Sequence, residues 1–115
     1  MENTLIKAIV NGMKAKKAYE INVLNLKHIS NAVADYFVIC SGDATTQIEA
    51  ITSAIVKTTH QQIGVYPWKQ EGLLTKEWVL IDYVNIVVHI FHNETRKFYM
   101  LDTLWGDNLT NHIAP

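Results

Sequence analysis

The chain has 115 residues, 49% of them hydrophobic and 18% charged, with 10 basic residues against 11 acidic ones. That length fits one domain with a sizeable core, and the composition excludes a disordered chain. The charge balance argues against gripping nucleic acid by its phosphates, because such affinity scales with the phosphates neutralised. No run approaches the ~20 apolar residues of a membrane span. The start, Met1-Glu2-Asn3-Thr4, is acidic and polar, unlike the basic and then apolar start of a secretory signal. The expectation is a cytoplasmic protein with no membrane partner and no direct nucleic-acid specificity. Cys40, the only cysteine, lies in an apolar run and reads as a buried small hydrophobe.

Taken in chain order, Leu5, Ile6, Ile9, Val10 and Met13 recur at helical spacing and predict a helix over 4–17. Asn3 or Thr4 can cap it, and Gly12 is its weak position. Residues 20–26 alternate in part and read as a strand. After a polar connection over 27–34, residues 36–41 form an apolar, β-branched run suited to a central strand buried on both faces. Asp43 reads as the N-cap of a long helix to about residue 62, with Ile48, Ile51, Thr52, Ile55, Val56 and Thr59 on one face and Gly64 as its stop. Residues 65–68 are a short strand candidate weakened by Pro67. Residues 77–83 and 86–92 are two strong strands. Asn93 can cap a final helix whose buried face is Phe98, Leu101, Leu104 and Trp105. The order α-β-β-α-β-β-β-α predicts an α/β fold bordering on α+β, with a mixed five-stranded sheet flanked by helices.

Val84-Asn85 separates the two strongest strands. As a two-residue hairpin loop it is imperfect, because Asn tolerates a positive φ and Val does not. It pairs Asp82 with Val87, Leu80 with His89, and Trp78 with Phe91. Trp78, Leu80, Asp82, Val87, His89 and Phe91 then share one face. Val79, Ile81, Tyr83, Ile86, Val88 and Ile90 share the other, which is almost wholly aliphatic and belongs to the core. The mixed face supports three readings: Asp82 orienting His89 at the core's edge, a binding surface, or an acid–base pair. The last lacks a nucleophile or third group at a fixed spacing.

The chemistry of other sites is missing from the pattern. Glycines at 12, 42, 64, 72 and 106 are too scattered for a phosphate loop. One cysteine cannot make a cysteine-based zinc site. His89 and His92 sit three apart on a strand and point to opposite faces. No catalytic residue, metal site or cofactor is expected.

Several blocks in register carry a family resemblance. Asp35-Tyr36-Phe37-Val38-Ile39-Cys40-Ser41-Gly42 is followed by Thr45-Thr46-Gln47, then by Glu71-Gly72, Trp78-Val79-Leu80-Ile81-Asp82-Tyr83 and Val88-His89-Ile90-Phe91. Arg96, Phe98-Tyr99, Leu101 and Leu104-Trp105-Gly106-Asp107 complete the series. Together they resemble the RsfS/Iojap family of ribosomal silencing factors, over about residues 4–107. The resemblance implies one domain over 1–107 and a flexible tail over 108–115. It implies a sheet distantly like the nucleotidyltransferase fold without its catalytic carboxylates. It further implies binding to the large ribosomal subunit, chiefly to its fourteenth protein, a block on joining of the small subunit when nutrients run short, and a possible homodimer. Carried onto this chain, the partner-binding residues are Trp78, Leu80, Asp82, Tyr83, His89, Arg96 and Tyr99, with Tyr83 pointing away from Trp78 and Asp82. The family commonly has Gly-Asp where this chain has Val84-Asn85. Two rival readings remain: a degenerate nucleotidyltransferase that still binds nucleotide, and a homodimeric scaffold.

Overall fold

Apolar spacing and main-chain pairing together decide the elements. The computed structural model describes residues 2–99 and 110–113. It places α1 at Glu2–Ala15, β1 at Tyr19–Asn25, β2 at Tyr36–Gly42 and α2 at Thr45–Ile63. Then come β3 at Lys69–Glu71, β4 at Trp78–Asp82, β5 at Ile86–His92, α3 at Asn93–Tyr99 and β6 at Thr110–Ile113. The sheet order is β3-β4-β5-β2-β1-β6. The β2–β5 pair is parallel and the others are antiparallel, so the sheet is mixed as expected. A parallel pair needs a crossover, and α2 lies in the one between β2 and β5.

Both long helices cover the same face of the sheet. Ile9 and Met13 of α1 and Ile48, Ile51 and Ile55 of α2 pack on Ile21, Val38, Cys40, Val79, Ile81, Val88 and Ile90. Gly12 proves necessary here: a Cβ at that position would lie 2.7 Å from the Ile55 Cα, so glycine admits the close crossing of α1 on α2. Gly64 ends α2 in the left-handed conformation at φ 68°, and its N–H donates to the His60 carbonyl. Burial pushes the Cys40 thiol up to about 12, so it is an inert core side chain. On the opposite face a smaller core joins Leu24, Phe37, Ile39 and Phe91 to Leu26 and Ala34, with Ile29, Ala32, Trp78 and Val87 packed against it.

Several local expectations are corrected. Ala44, not Asp43, is the α2 N-cap, and no side chain caps it. Asp43 instead accepts hydrogen bonds from the Tyr19 hydroxyl and the Asn93 amide, tying the end of β2 to β1 and α3. The short strand expected at 65–68 forms at Lys69–Glu71, because Pro67 has no N–H and pairing begins only with the Trp68 N–H donating to the Asp82 carbonyl at 2.7 Å. The five strands gain a sixth. Residues 110–113, expected in a flexible tail, pair antiparallel with β1, with Ile21 opposite Ile113 and Leu24 opposite Thr110. That pairing occupies hydrogen-bonding groups that an edge strand would leave open. Leu101, Leu104, Trp105 and the rest of the tail lie outside the described residues, as do the side chains at 98 and 99. Among the described residues, no helix is long and apolar enough to cross a membrane.

Candidate functional site

The β4–β5 hairpin adopts the register its alternation dictates: Trp78 opposite Phe91, Leu80 opposite His89, and Asp82 opposite Val87. The aliphatic set, Val79, Ile81, Ile86, Val88 and Ile90, is fully buried beneath the helices. The turn carries the strain expected of it. Val84 sits at φ 77°, and the Asn85 N–H closes a three-residue turn onto the Tyr83 carbonyl. The Val84 N–H donates to Asp82 Oδ1 at 2.7 Å.

The opposite face is built on aromatic contacts. Trp78 stacks on Phe91 with ring centroids 4.9 Å apart and planes 26° apart. His89 meets Phe37 edge-on at 4.4 Å. The Trp78 indole Nε1–H donates to His89 Nδ1 at 3.0 Å. His89 is therefore oriented against Trp78, and not by Asp82 as one sequence reading had it. Both Trp78 and Asp82 are diagonal neighbours of His89, and Asp82 is engaged with the turn. Trp78, Leu80, Asp82 and Val87 are half-buried, so this face carries accessible apolar and acidic surface beside its buried aromatics.

The seven residues singled out in the sequence do not form one surface. Trp78, Leu80 and Asp82 lie together on the accessible face. His89 lies beneath them, only 5% exposed. Tyr83 faces α2, where its hydroxyl and that of Thr59 share a hydrogen bond of 2.8 Å, and burial raises its pKa. Arg96 is also turned inward: its guanidinium donates to the Glu20 carbonyl and, at 2.9 Å, to the Ser41 hydroxyl. Neither Tyr83 nor Arg96 has the exposure of a contact residue; both hold the hairpin and α3 in place. The Tyr99 side chain lies outside the described residues.

The structure adds residues that the sequence reading missed. β3 pairs Lys69 with Asp82 and Glu71 with Leu80, which places both side chains on the accessible face. Lys69 Nζ also sits 4.9 Å from the ring centroid of Trp68, which is 70% exposed. This margin leaves the carboxylates of Glu71 and Asp82 against the single ammonium of Lys69. No apolar alternation marks β3 in the sequence, because Lys69, Gln70 and Glu71 are all exposed. On the other side of the sheet, a groove of about 640 Å³ runs between α2 and the 66–76 segment, lined by Val56, Lys57, His60, Tyr66 and Leu73 among others. Val79 and Gln70 point into it, so it is separate from the Trp78 face. Among the described residues, no group of three or more His, Cys, Asp or Glu side chains is placed to hold a metal ion.

The model of a family described as "ribosomal silencing factor during starvation" matches residues 1–114. This chain belongs to the RsfS family. A ribosomal silencing factor RsfS of Halalkalibacterium halodurans is 41% identical over 103 residues, covering 90% of this chain and 86% of the relative. That of Bacillus subtilis is 38% identical, covering 92% and 88%. A mouse protein named for mitochondrial assembly of the ribosomal large subunit is 31% identical over 87% of this chain and 44% of its own length. Among solved structures, a Bacillus halodurans protein superposes with a TM-score of 0.79 at 37% identity, covering 95% of this chain and 97% of that one. A Chromobacterium violaceum protein at 24% identity shares the fold, with a TM-score of 0.82 over 89% of this chain and 83% of its own.

Proposed function

We propose that this RsfS-family protein binds the large ribosomal subunit through the face of Trp78, Leu80 and Asp82, and that it represses translation by keeping the small subunit from joining. The observation that carries this reading is the half-buried Trp78, stacked on Phe91 and ringed by accessible Leu80, Asp82 and the β3 margin. Tryptophan is among the residues most enriched at the energetic hot spots of protein interfaces. The acidic excess of Glu71 and Asp82 over Lys69 suits a basic partner. The fourteenth protein of the large subunit is the contact we assign to it. The mechanism is occupancy: a bound domain fills volume that the small subunit must enter, so the effect scales with the fraction of large subunits carrying it. No bond is made or broken, and the protein acts in the cytoplasm without a cofactor.

Sedimentation with purified subunits tests the proposal. The protein is expected to travel with free large subunits and not with joined ribosomes, and to lower the yield of joined ribosomes in proportion to its occupancy. Trp78→Ala is expected to weaken binding about 30-fold, the effect of losing an anchor of about 2 kcal/mol. Absence from large subunits at saturating concentration would sink the proposal. Full binding by Trp78→Ala would move the site elsewhere on the molecule.

A further inference from the structure

We infer that His89 is a positioning residue for this face: it accepts the Trp78 indole N–H and locks the ring, so that the partner is met by the indole's apolar surface and not by its hydrogen-bond donor. The inference rests on the reading that Trp78 anchors the large subunit, and it adds how that anchor is held and what it can recognise.

An indole has one polar atom, the Nε1–H, which donates and cannot accept. A buried indole N–H usually finds a hydrogen-bond partner, and where that partner lies decides which part of the ring is left for recognition. Here it points into the protein, 3.0 Å from His89 Nδ1. An imidazole nitrogen accepts only when it carries no proton, so the contact selects the neutral tautomer with its hydrogen on Nε2. His89 cannot turn away easily. It is 5% exposed, it meets Phe37 edge-on at 4.4 Å with planes 63° apart, and its ring lies within 9° of parallel to Phe91.

Two contacts therefore fix the indole in different senses. The hydrogen bond to His89 sets its rotation about the side-chain axis, and the 4.9 Å stack on Phe91 sets its tilt. A ring held this way loses little rotamer freedom on binding, which is the usual cost of an aromatic anchor. The register explains why histidine does this from position 89. It pairs with Leu80, one step of the alternation from Trp78 on the same face, so the imidazole reaches the indole diagonally. The partner chemistry follows. With the donor engaged inside, the complement to Trp78 is an apolar surface, such as aliphatic side chains, a prolyl ring or the stem of a long basic side chain. A main-chain carbonyl aimed at the N–H does not serve.

The test compares three substitutions at once in large-subunit binding. His89→Phe keeps an aromatic ring between Phe37 and Trp78 but removes the acceptor; it is expected to weaken binding about tenfold. His89→Asn places an amide oxygen near the position of Nδ1; it is expected to restore binding to within about threefold of the parent. Trp78→Ala reports on the site itself. The readout that a merely structural role would not move is hydrogen exchange of the Trp78 indole N–H, assigned by comparison with Trp78→Phe. It is expected to be protected in the parent and in His89→Asn, and to exchange rapidly in His89→Phe. Full-strength binding by His89→Phe, with Trp78→Ala impaired, overturns the positioning role and leaves the proposed site standing. Full-strength binding by Trp78→Ala overturns both. If His89→Phe does not fold, rapid indole exchange in the parent protein alone overturns the inference.

Discussion

On the helix-covered face of the β4–β5 hairpin, Val79, Ile81, Tyr83, Ile86, Val88 and Ile90 are all buried, whereas across the sheet Trp78, Leu80, Asp82 and Val87 keep part of their surface in water. The two faces come from the same strands and differ by one step of alternation. One is covered by α1 and α2 and has become aliphatic, with Tyr83 as its single polar tip, tied off by Thr59. The other has aromatic rings, a carboxylate and an imidazole, and part of it is left open. Stability sits mainly on the first face, and recognition is proposed for the second. Mutations that separate the two quantities are the way to break that division.

The largest effect is expected at Ile81, which is fully buried on the helix-covered face. Ile81→Ala should lower unfolding free energy by about 2–5 kcal/mol through lost burial and the cavity left behind. Affinity of the folded fraction for large subunits should not change. Urea unfolding together with sedimentation checks both. A loss of affinity comparable to that of Trp78→Ala, in protein still folded, would mean the faces are coupled and the division is wrong.

How much of this was legible beforehand depended on which force set each feature. The register of the hairpin and the sorting of its side chains followed from alternation alone, because a slip of one residue would have turned out Val79 and Ile81 of β4 or Ile86, Val88 and Ile90 of β5. β3 was misplaced because Lys69, Gln70 and Glu71 are all exposed and carry no apolar signal; they form a strand only by main-chain pairing with β4. The resemblance puts Arg96 in the partner-binding set, which needs an exposed side chain, as arginine usually is. Its burial depends on a carbonyl at Glu20, where the chain adopts φ 50° beside an irregularity in β1, and on the Ser41 hydroxyl. No spacing rule announces either partner. The exchange of Asp82 for Trp78 as the partner of His89 had the same origin, since alternation ranks the two diagonals equally and only the turn decides between them.

A second prediction probes the helix-covered face through pH. The Cys40 thiol rises from an ordinary 9.0 to about 12, first because it is desolvated and despite the opposing charge of Arg96. The folded chain thus holds that proton when the unfolded chain has released it. Stability is complete below about pH 9 and falls as pH rises from there toward the folded value. Between about pH 9 and pH 10.5 the thiol alone costs about 2 kcal/mol. Tyr83, also raised by burial, adds to the loss above about pH 10. Cys40→Ala should be less stable at neutral pH but show a flatter decline between pH 9 and 10, measured by urea midpoints across that range. An unchanged slope would mean that the thiol titrates as an exposed group does, and that this face is not closed to water.

The smallest effect is expected at the point where the two faces meet. Val84 is 60% exposed at the hairpin tip and holds φ 77°, a conformation that a β-branched residue adopts at a cost of order 1–3 kcal/mol. Glycine removes that cost but brings about 0.5–1 kcal/mol of extra unfolded-state entropy. Val84→Gly should therefore stabilise the protein by about 1 kcal/mol in thermal or urea unfolding. Its effect on large-subunit affinity sharpens the comparison in a way the other substitutions cannot. The Val84 N–H is the donor to Asp82 Oδ1, so the turn sets the carboxylate at the end of the accessible face. If affinity stays level while stability rises, the strain at Val84 belongs to the fold alone, and Trp78 is held by His89 and Phe91 independently of the turn. A fall in affinity would instead show that the valine turn aims Asp82 at its partner, and the strain would then be part of the binding site.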